Sequence, residues 1–270
     1  MSLSVLQEHI HPDSRPKICA QQYGGIPALT ASLSGPFRAV FTTRTGGVSK
    51  GPFQHLNLSQ SHGDDPGDVK DNRRRLARAV READGLSGAT GLVSPRQVHG
   101  LRVIGTAEYK RGPAGAPCDG LTVHPERDAG LGALLVFGDC VPVIMVGEVD
   151  AALVHGGWRG LLGGVVQEGA RAMTAPPGLA FIGPSAGPCC YKVDSHLVQS
   201  FADRYGRGLT RGGHLDLWEV CTRALEEVGV PRGQVVNPRL CTICNPELFY
   251  SHRRDGPATG RQGALLWAVS

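Results

Sequence analysis

The sequence lacks any apolar run of the roughly 18 residues that a membrane-spanning helix needs. Its longest apolar stretches, GALLVFG and VPVIMVG, are interrupted between Gly138 and Pro142. The first residues also lack the basic, apolar and small-residue order of a secretory signal peptide. We therefore expect a cytoplasmic protein with no membrane partner.

A strong excess of charge of one sign is also missing. Lys and Arg total 28 and Asp and Glu total 24, which gives a net charge of +4. Nucleic-acid-binding domains carry a larger and more concentrated basic excess, so we expect no nucleic-acid partner. The densest basic cluster is NRRRLAR, and its spacing on a helix predicts a solvated face formed by Arg73, Arg74, Arg75 and Arg78.

Cysteine is too sparse, at eight of 270 residues, for a fold held by disulfides. In a reducing compartment such cysteines indicate thiols or metal ligands. Cys241 and Cys244 form one C-x-x-C motif, and Cys189 and Cys190 are adjacent. A single C-x-x-C is a weak signal for structural zinc and adjacent cysteines do not easily complete it, so we expect no second metal site.

Short apolar runs and helical patterns alternate irregularly along the chain. Helices are predicted over 68–85 and 160–173, the second weakened by two glycines, and a helix start is predicted at Asn245 and Pro246. The mixture predicts one α+β domain with a strand-rich mixed-sheet core surrounded by helices. Prolines 12, 16, 27 and 36 predict a loosely structured segment over 1–36, followed by the domain over 37–270.

Three residues with metal-ligand side chains stand at turns beside apolar runs: His99 in SPRQVHG, Cys140 in FGDCVPVIM and His155 in LVHGGWRG. Two imidazoles and one thiolate suit a catalytic zinc site, which has three protein ligands and one open position. The same set admits a blue-copper site or a nucleophilic Cys–His pair. The His-x-His pair at His9 and His11 stands alone, which argues against multicopper chemistry.

Charged residues near these motifs predict an anion-binding half of the site. Arg44 precedes Gly46 and Gly47, and Arg159 stands where a helix begins, so both positions suit an anionic oxygen such as phosphate. Asp119 is a candidate for orienting a metal-bound histidine or for acid–base work.

Seven motifs in order give the chain a specific resemblance from about Phe37 to its end. They include TTRTGGVS, QVHG, GDCVPV, HGGWRG, GPSAGPCCYKV and YSHRRDG with ATGR. They resemble the YfiH-type purine nucleoside phosphorylase family, first called the multicopper polyphenol oxidase or laccase-domain family. That family is similar in fold to the catalytic domain of cytotoxic necrotizing factors.

The resemblance implies a metal-binding triad and an activity. The family's metal ligands fall on His99, Cys140 and His155. Its members split adenosine, inosine and methylthioadenosine with phosphate and deaminate adenosine, so purine nucleosides and phosphate are the implied partners. Phosphate would be held by Arg44, with Arg159 and Arg254, and Asp119 would contribute to the substrate site. Copper oxidase, Cys–His hydrolase and non-catalytic metal-binding functions stay open as alternatives.

Overall fold

The computed structural model of the protein describes residues 16–33, 35–84 and 91–269. Its strands are β1 Ile18–Tyr23, β2 Ile26–Ala31, β3 Phe37–Thr42, β4 Gly91–Val93, β5 Val103–Gly105, β6 Gly120–Val123, β7 Leu131–Phe137, β8 Val141–Val146, β9 Ala151–Gly156, β10 Leu179–Ile182, β11 Thr210–Arg211, β12 His214–Leu215, β13 Val235–Val236 and β14 Gln262–Ala268. Its α-helices are α1 Pro66–Ala83, α2 Thr106–Arg111, α3 Trp158–Gly163, α4 Val165–Ala172, α5 Ser195–Tyr205, α6 Leu217–Glu227 and α7 His252–Asp255.

The strands build two six-stranded mixed sheets. The first has the order β1-β2-β3-β14-β7-β4, and the second has the order β13-β10-β8-β9-β6-β5. Most neighbours are antiparallel, whereas β4 with β7, β5 with β6 and β10 with β13 pair in parallel. β11 and β12 form a separate small hairpin.

The two sheets pack face to face, and helices cover their outer faces. Phe41 and Phe137 of the first sheet share one core with Ile144, Leu153 and Phe181 of the second. Alternate residues of the same strands point the other way, since side chains on a strand alternate between its faces. On the first sheet these residues pack against α1, and on the second they pack against α4, α5 and α6. Burial of both faces explains why β7, β8 and β9 read as continuous apolar runs.

These layers confirm the prediction of a single α+β domain with a mixed-sheet core. The expectation of a loosely structured 1–36 is wrong for 18–31, where β1 and β2 pair with each other and β2 pairs with β3. Pro27 is compatible with a strand here because it is the second residue of β2 and precedes Ala28, where the pairing of β2 with β3 begins. Residues 1–15 and residue 34 lie outside the described part of the chain.

Two predicted helices differ from those observed. The helix expected over 160–173 is divided into α3 and α4 at Gly164, whose φ of +96° interrupts helical geometry. No helix starts at Pro246. Asn245 instead accepts two bonds at its main-chain carbonyl, from Leu248 and Phe249, in a tight turn, and its side chain donates to Cys241 O at 2.8 Å. Among the described residues, no helix has the length and apolar character required to cross a membrane.

Candidate metal centre and its cleft

The pairing of β8 with β9 brings Cys140 and His155 to the same end of the second sheet. These two strands are antiparallel, and their register sets Pro142 opposite His155 and Val141 opposite Gly156. Cys140 immediately precedes β8, and His155 stands one residue before the end of β9. Two residues 15 positions apart therefore meet across one hairpin.

His99 reaches the same point from a loop between β4 and β5. Its backbone has φ of +60°, a conformation that non-glycine residues adopt uncommonly and that often marks functional sites. The ring of His99 lies against the main chain of Gly157, where a Cβ atom would stand 2.4 Å from His99 Cδ2. The glycine after the β9 strand therefore makes room for the second histidine.

The three side chains form a compact His2Cys set. One ligand atom from each of His99, Cys140 and His155 lies within 4.8 Å of the others. Cys140 Sγ lies 3.6 Å from His99 Nε2, and the two imidazole ring centroids are 4.8 Å apart in an edge arrangement. Phe137 packs edge-on against His155 at 5.4 Å. His155 is buried and the other two are half-buried.

Asp119 fixes both histidines. Its buried carboxylate accepts hydrogen bonds from the main-chain N–H groups of Val98, His99 and Gly100 at 2.8–3.2 Å. It also lies 2.9 Å from His155 Nδ1. That contact leaves Nε2 of His155 to face the cluster, the usual arrangement around a metal-ligating histidine. Asp119 is therefore a positioning residue, and the prediction that it lies in the substrate site does not match its place.

Electrostatics favour a thiolate beside an imidazolium in the absence of a metal. Burial would raise the pKa of Cys140, but the charge of His155 and hydrogen bonds from both histidines outweigh it and lower the pKa to about 6. Burial would lower the pKa of His155, but Cys140 and Asp119 raise it to about 9. The same surroundings lower the pKa of Asp119, where burial is outweighed by the bonds from His155, Gly100 and Val98.

The cluster opens onto a cleft of about 1000 Å³ with a basic lining. Five arginines line it, and Asp139 is the single Asp or Glu among the described lining residues. The arginines are Arg73, Arg96, Arg159, Arg253 and Arg261. Trp158 and Tyr191 add aromatic surface. A cleft with this charge attracts anions, and guanidinium groups suit phosphate oxygens.

Of the three arginines predicted to bind phosphate, only Arg159 lines this cleft. Its guanidinium stacks on the Trp158 ring at 4.3 Å. Arg44 donates to the carbonyl oxygens of Gln54 and Pro246 and lies over the ring of Tyr250. The expectation that Arg44 faces the site is therefore wrong, because its guanidinium instead joins the loops that contain Gln54 and Pro246.

Arg254 is also turned inward. Its guanidinium donates to the carbonyls of Thr242, Ile243 and Phe249 and pairs with Asp255. The neighbouring residue, Arg253, lines the cleft instead. Successive residues on a helical turn point in directions about 100° apart, so Arg253 lines the cleft and Arg254, the predicted arginine, does not.

Sequence reasoning missed other cleft arginines for identifiable reasons. Arg73 was predicted on a solvated helix face, but its Nε donates to Leu58 O at 2.8 Å and burial lowers its pKa to about 10. Arg261 stood in the ATGR motif without being singled out. It is buried, and its NH1 donates to Thr259 O and Gly260 O.

Asp139 joins the cleft to the C-terminal loops. Its side chain accepts from Thr242 Oγ1 at 2.6 Å, from Ser251 Oγ at 3.0 Å and from the main-chain N–H of Arg253 at 2.6 Å. Its φ of +91° is strained for a residue with a side chain. The residue beside Cys140 therefore anchors the segment that carries Arg253.

The donor set fits a zinc ion. Zinc accepts nitrogen and sulfur ligands, and three protein ligands with an adjoining cleft leave one position for a substrate or solvent atom. One other group of potential ligands gathers among the described residues, formed by Cys189, Cys190, Cys241 and Cys244.

Comparison with known families assigns the chain. The family model described as multi-copper polyphenol oxidoreductase laccase matches residues 38–269. The chain belongs to this family. Its relatives include purine nucleoside phosphorylase YlmD of Geobacillus stearothermophilus, which is 35% identical over 90% of this chain and 92% of the relative. A purine nucleoside phosphorylase of Mycobacterium tuberculosis is 37% identical over 88% of this chain and 94% of its own.

Solved structures of the family share the fold. The crystal structure of YlmD from Geobacillus stearothermophilus matches with a TM-score of 0.79 at 35% identity, covering 93% of this chain and 99% of that one. A Neisseria meningitidis family member matches with a TM-score of 0.76 at 31% identity, covering 90% and 99% of the two chains. The resemblance to the YfiH-type family is thereby confirmed.

Proposed function

We propose that the protein is a zinc-dependent purine nucleoside phosphorylase that splits adenosine, inosine and methylthioadenosine with phosphate. The observation that carries the proposal is the His99–Cys140–His155 cluster at the wall of an arginine-lined cleft. The names of the relatives favour the same reaction, with nucleosides and phosphate as substrates.

The reaction needs an anion site next to an anomeric carbon. A phosphate oxygen attacks C1′, the bond from C1′ to the purine nitrogen breaks, and free base and a sugar 1-phosphate leave. Positive charge develops on the sugar as the bond stretches. Arg159, Arg253 and Arg261 face the cleft and are suited to holding the phosphate, while Trp158 or Tyr191 offers a ring for the purine.

His99, Cys140 and His155 would hold the zinc ion. When bound, zinc supplies Lewis-acid polarisation of an oxygen in the cleft. Asp119 keeps the imidazole of His155 in one orientation through the 2.9 Å contact with Nδ1. His62, held by Ser59 at 2.7 Å, stays neutral at pH 7 and offers a hydrogen bond in the cleft, since burial, Arg261 and His252 lower its pKa to about 4.

We propose adenosine deamination as a second activity of the same centre. Water replaces the 6-amino group, and inosine and ammonia are formed. Support comes from the family resemblance and from a ligand set with three protein donors, which leaves a coordination position open. We further propose a cytoplasmic location, which agrees with the eight free thiols.

The test is product analysis with purified zinc-loaded protein. We expect adenine and ribose 1-phosphate from adenosine only when phosphate is present, and inosine with or without phosphate. A chelator stops both reactions. Formation of ribose instead of ribose 1-phosphate would contradict phosphorolysis, and absence of inosine and ammonia would contradict deamination.

The same assay separates the alternatives. A copper phenol oxidase would be coloured, bind several coppers and oxidise phenols. The family model carries that name, yet the described residues gather only one cluster that contains histidine. A Cys–His hydrolase would resist chelators and lose activity on alkylation of Cys140. A non-catalytic metal-binding protein would bind zinc without turnover.

A further inference from the structure

Four cysteines that are far apart in sequence meet at one surface site. Cys189 and Cys190 lie in a turn after β10, and Cys241 and Cys244 lie in the turns before α7. All four sulfur atoms lie within 4.8 Å of one another. Cys244 Sγ is 3.2 Å from Cys190 Sγ and 3.5 Å from Cys189 Sγ. We expected the adjacent cysteines not to complete the C-x-x-C motif. That expectation is wrong about their position, because Cys189 and Cys190 lie beside Cys241 and Cys244.

Backbone pairing explains how the two segments meet. Ser185 and Cys241 form an isolated parallel bridge, in which Ser185 N donates to Leu240 O and Thr242 N donates to Ser185 O. Trp218 Nε1 donates to Ser185 Oγ at 2.7 Å from beneath. A parallel bridge between residues 56 positions apart leaves no pattern in the local sequence.

Gly187 lets the thiols approach. A Cβ atom on this residue would stand 2.5 Å from the Trp218 ring and 3.2 Å from Cys241 Cβ. Its main-chain N–H instead donates to Cys241 Sγ at 3.3 Å. An N–H donor directed at sulfur stabilises a thiolate, which is the form that binds metals.

The sulfur separations fit a metal ion and not a disulfide. A disulfide joins sulfurs at about 2.05 Å, and the distances of 3.2 and 3.5 Å from Cys244 Sγ to the other two sulfurs are far longer. A tetrahedral Zn–S4 site with bonds of about 2.3 Å sets its sulfurs about 3.8 Å apart. The cluster therefore has the size of a tetrathiolate site with one ion at its centre.

We propose that Cys189, Cys190, Cys241 and Cys244 bind one zinc ion in a closed structural site. Four protein ligands leave no position for a substrate, and none of the four is among the described residues that line the cleft. Cys241 is buried, Cys190 is half-buried, and Cys189 and Cys244 are exposed, so an ion can enter from solvent.

The site fastens the loops that form one wall of the cleft. Tyr191 follows Cys190 and lines the cleft. Thr242 follows Cys241 and donates to Asp139. Arg253 lies over the Tyr191 ring at 5.1 Å. An ion bound by the four sulfurs would hold these two segments in register without contacting substrate.

Metal counting tests the proposal independently of any activity, so its failure is distinguishable from failure of the proposed function. Reduced, anaerobic protein is stripped with a chelator, reloaded with zinc and freed of excess metal. We expect about two ions per chain in the wild type and about one in Cys140→Ala. Cys189→Ser and Cys244→Ser are expected to bind about one, and either combined with Cys140→Ala none. These two positions are exposed, so the substitutions leave the core intact.

Cys19→Ser is the matched control, because it removes a thiol on β1 and is expected to keep both ions. Cobalt loading of Cys140→Ala identifies the ligands, because the four-cysteine cluster is the one that remains complete in this variant. Cobalt bound by its thiolates is expected to give an intense sulfur-to-cobalt charge-transfer band. The proposal is overturned if Cys140→Ala, which keeps all four of these cysteines, binds no ion, if Cys189→Ser and Cys244→Ser bind as many ions as Cys19→Ser, or if thiol counting finds these cysteines in disulfides.

Discussion

The two clusters of potential metal ligands are built differently. In the His99–Cys140–His155 cluster, the ligands come from strand ends and a strained loop, and the carboxylate of Asp119 orients the two histidines. The four-cysteine cluster is held by turns, one bridge and one N–H donor to sulfur. The first opens into a basic cleft, whereas the second faces solvent. Rigid support beside an open position suits catalysis, and four thiols on loops suit a fastening role.

Removal of one ligand from each cluster is expected to give the largest contrast. Cys140→Ala takes away the thiolate of the first cluster, and with it a Lewis acid that contributes several kcal/mol to transition-state stabilisation. We expect phosphate-dependent kcat/KM to fall at least about 1000-fold. Cys244→Ser is expected to lower the melting temperature and to change kcat/KM by less than about tenfold. Steady-state kinetics and thermal unfolding of both variants measure this. Equal loss of activity would remove the distinction between the clusters.

Asp119→Asn tests whether the first cluster depends on its support. The amide keeps the size of the side chain but weakens the bonds to the N–H groups and to His155. We expect zinc affinity or kcat/KM to fall about 10- to 100-fold. Zinc competition against a chromophoric chelator measures the affinity.

Asp65→Asn is the control for that substitution. Asp65 caps α1 through Gly67 N and Asp68 N, and Asn is an equally good cap. Zinc affinity is expected to stay at the wild-type value. An Asp119→Asn protein that matches Asp65→Asn in zinc affinity would show that the carboxylate does not support the cluster.

A pair of arginines tests the cleft. Arg159→Ala removes a guanidinium that faces the cleft, and loss of one charge-assisted hydrogen bond is expected to raise KM for phosphate about tenfold with a smaller change in KM for nucleoside. Arg44→Ala removes a guanidinium that joins two loops. It is expected to lower stability and leave KM for phosphate unchanged. If KM for phosphate rises in Arg44→Ala and not in Arg159→Ala, Arg44 and not Arg159 binds phosphate.

The last expected effect concerns stability and not activity: a pH dependence of the free energy of unfolding that arises from His62. Its pKa is lowered to about 4 in the folded protein, against an ordinary value of about 6.5. Between these values the unfolded chain binds the proton more readily, so the free energy of unfolding falls as the pH decreases from 6.5 to 4. The contribution is at most about 3 kcal/mol.

His62→Gln is expected to flatten this slope in urea unfolding at several pH values. His196→Gln, at an exposed position on α5, serves as the control and keeps the wild-type slope. An unchanged slope in His62→Gln would show that His62 is not held neutral by its surroundings.

The sequence predicted the part of the site that local motifs carry. His99, Cys140 and His155 each stand beside a turn and an apolar strand, and the structure brings them together. The directions in which the arginine side chains point could not be predicted from the sequence. Arg253 and Arg254 are neighbours on one helical turn, and only tertiary contacts decide which of them meets Thr242 O and which meets the cleft.

Long-range pairing explains the remaining differences. β1 and β2 were predicted as loose because their prolines and polar residues hide a strand pattern, yet pairing with β3 includes them in the sheet. The four-cysteine cluster depends on the bridge between Ser185 and Cys241. Such contacts arise from the fold as a whole and have no counterpart in residue spacing.

The assignment of catalysis to the first cluster is tested most directly by measuring phosphorolysis against bound zinc in Cys244→Ser, where only the first cluster remains complete. Activity is expected to rise linearly with zinc and to reach its plateau at about one ion per chain, while Cys140→Ala with the four-cysteine cluster filled stays inactive. Full activity of zinc-free Cys244→Ser, or of zinc-loaded Cys140→Ala, would contradict the assignment of catalysis to His99, Cys140 and His155.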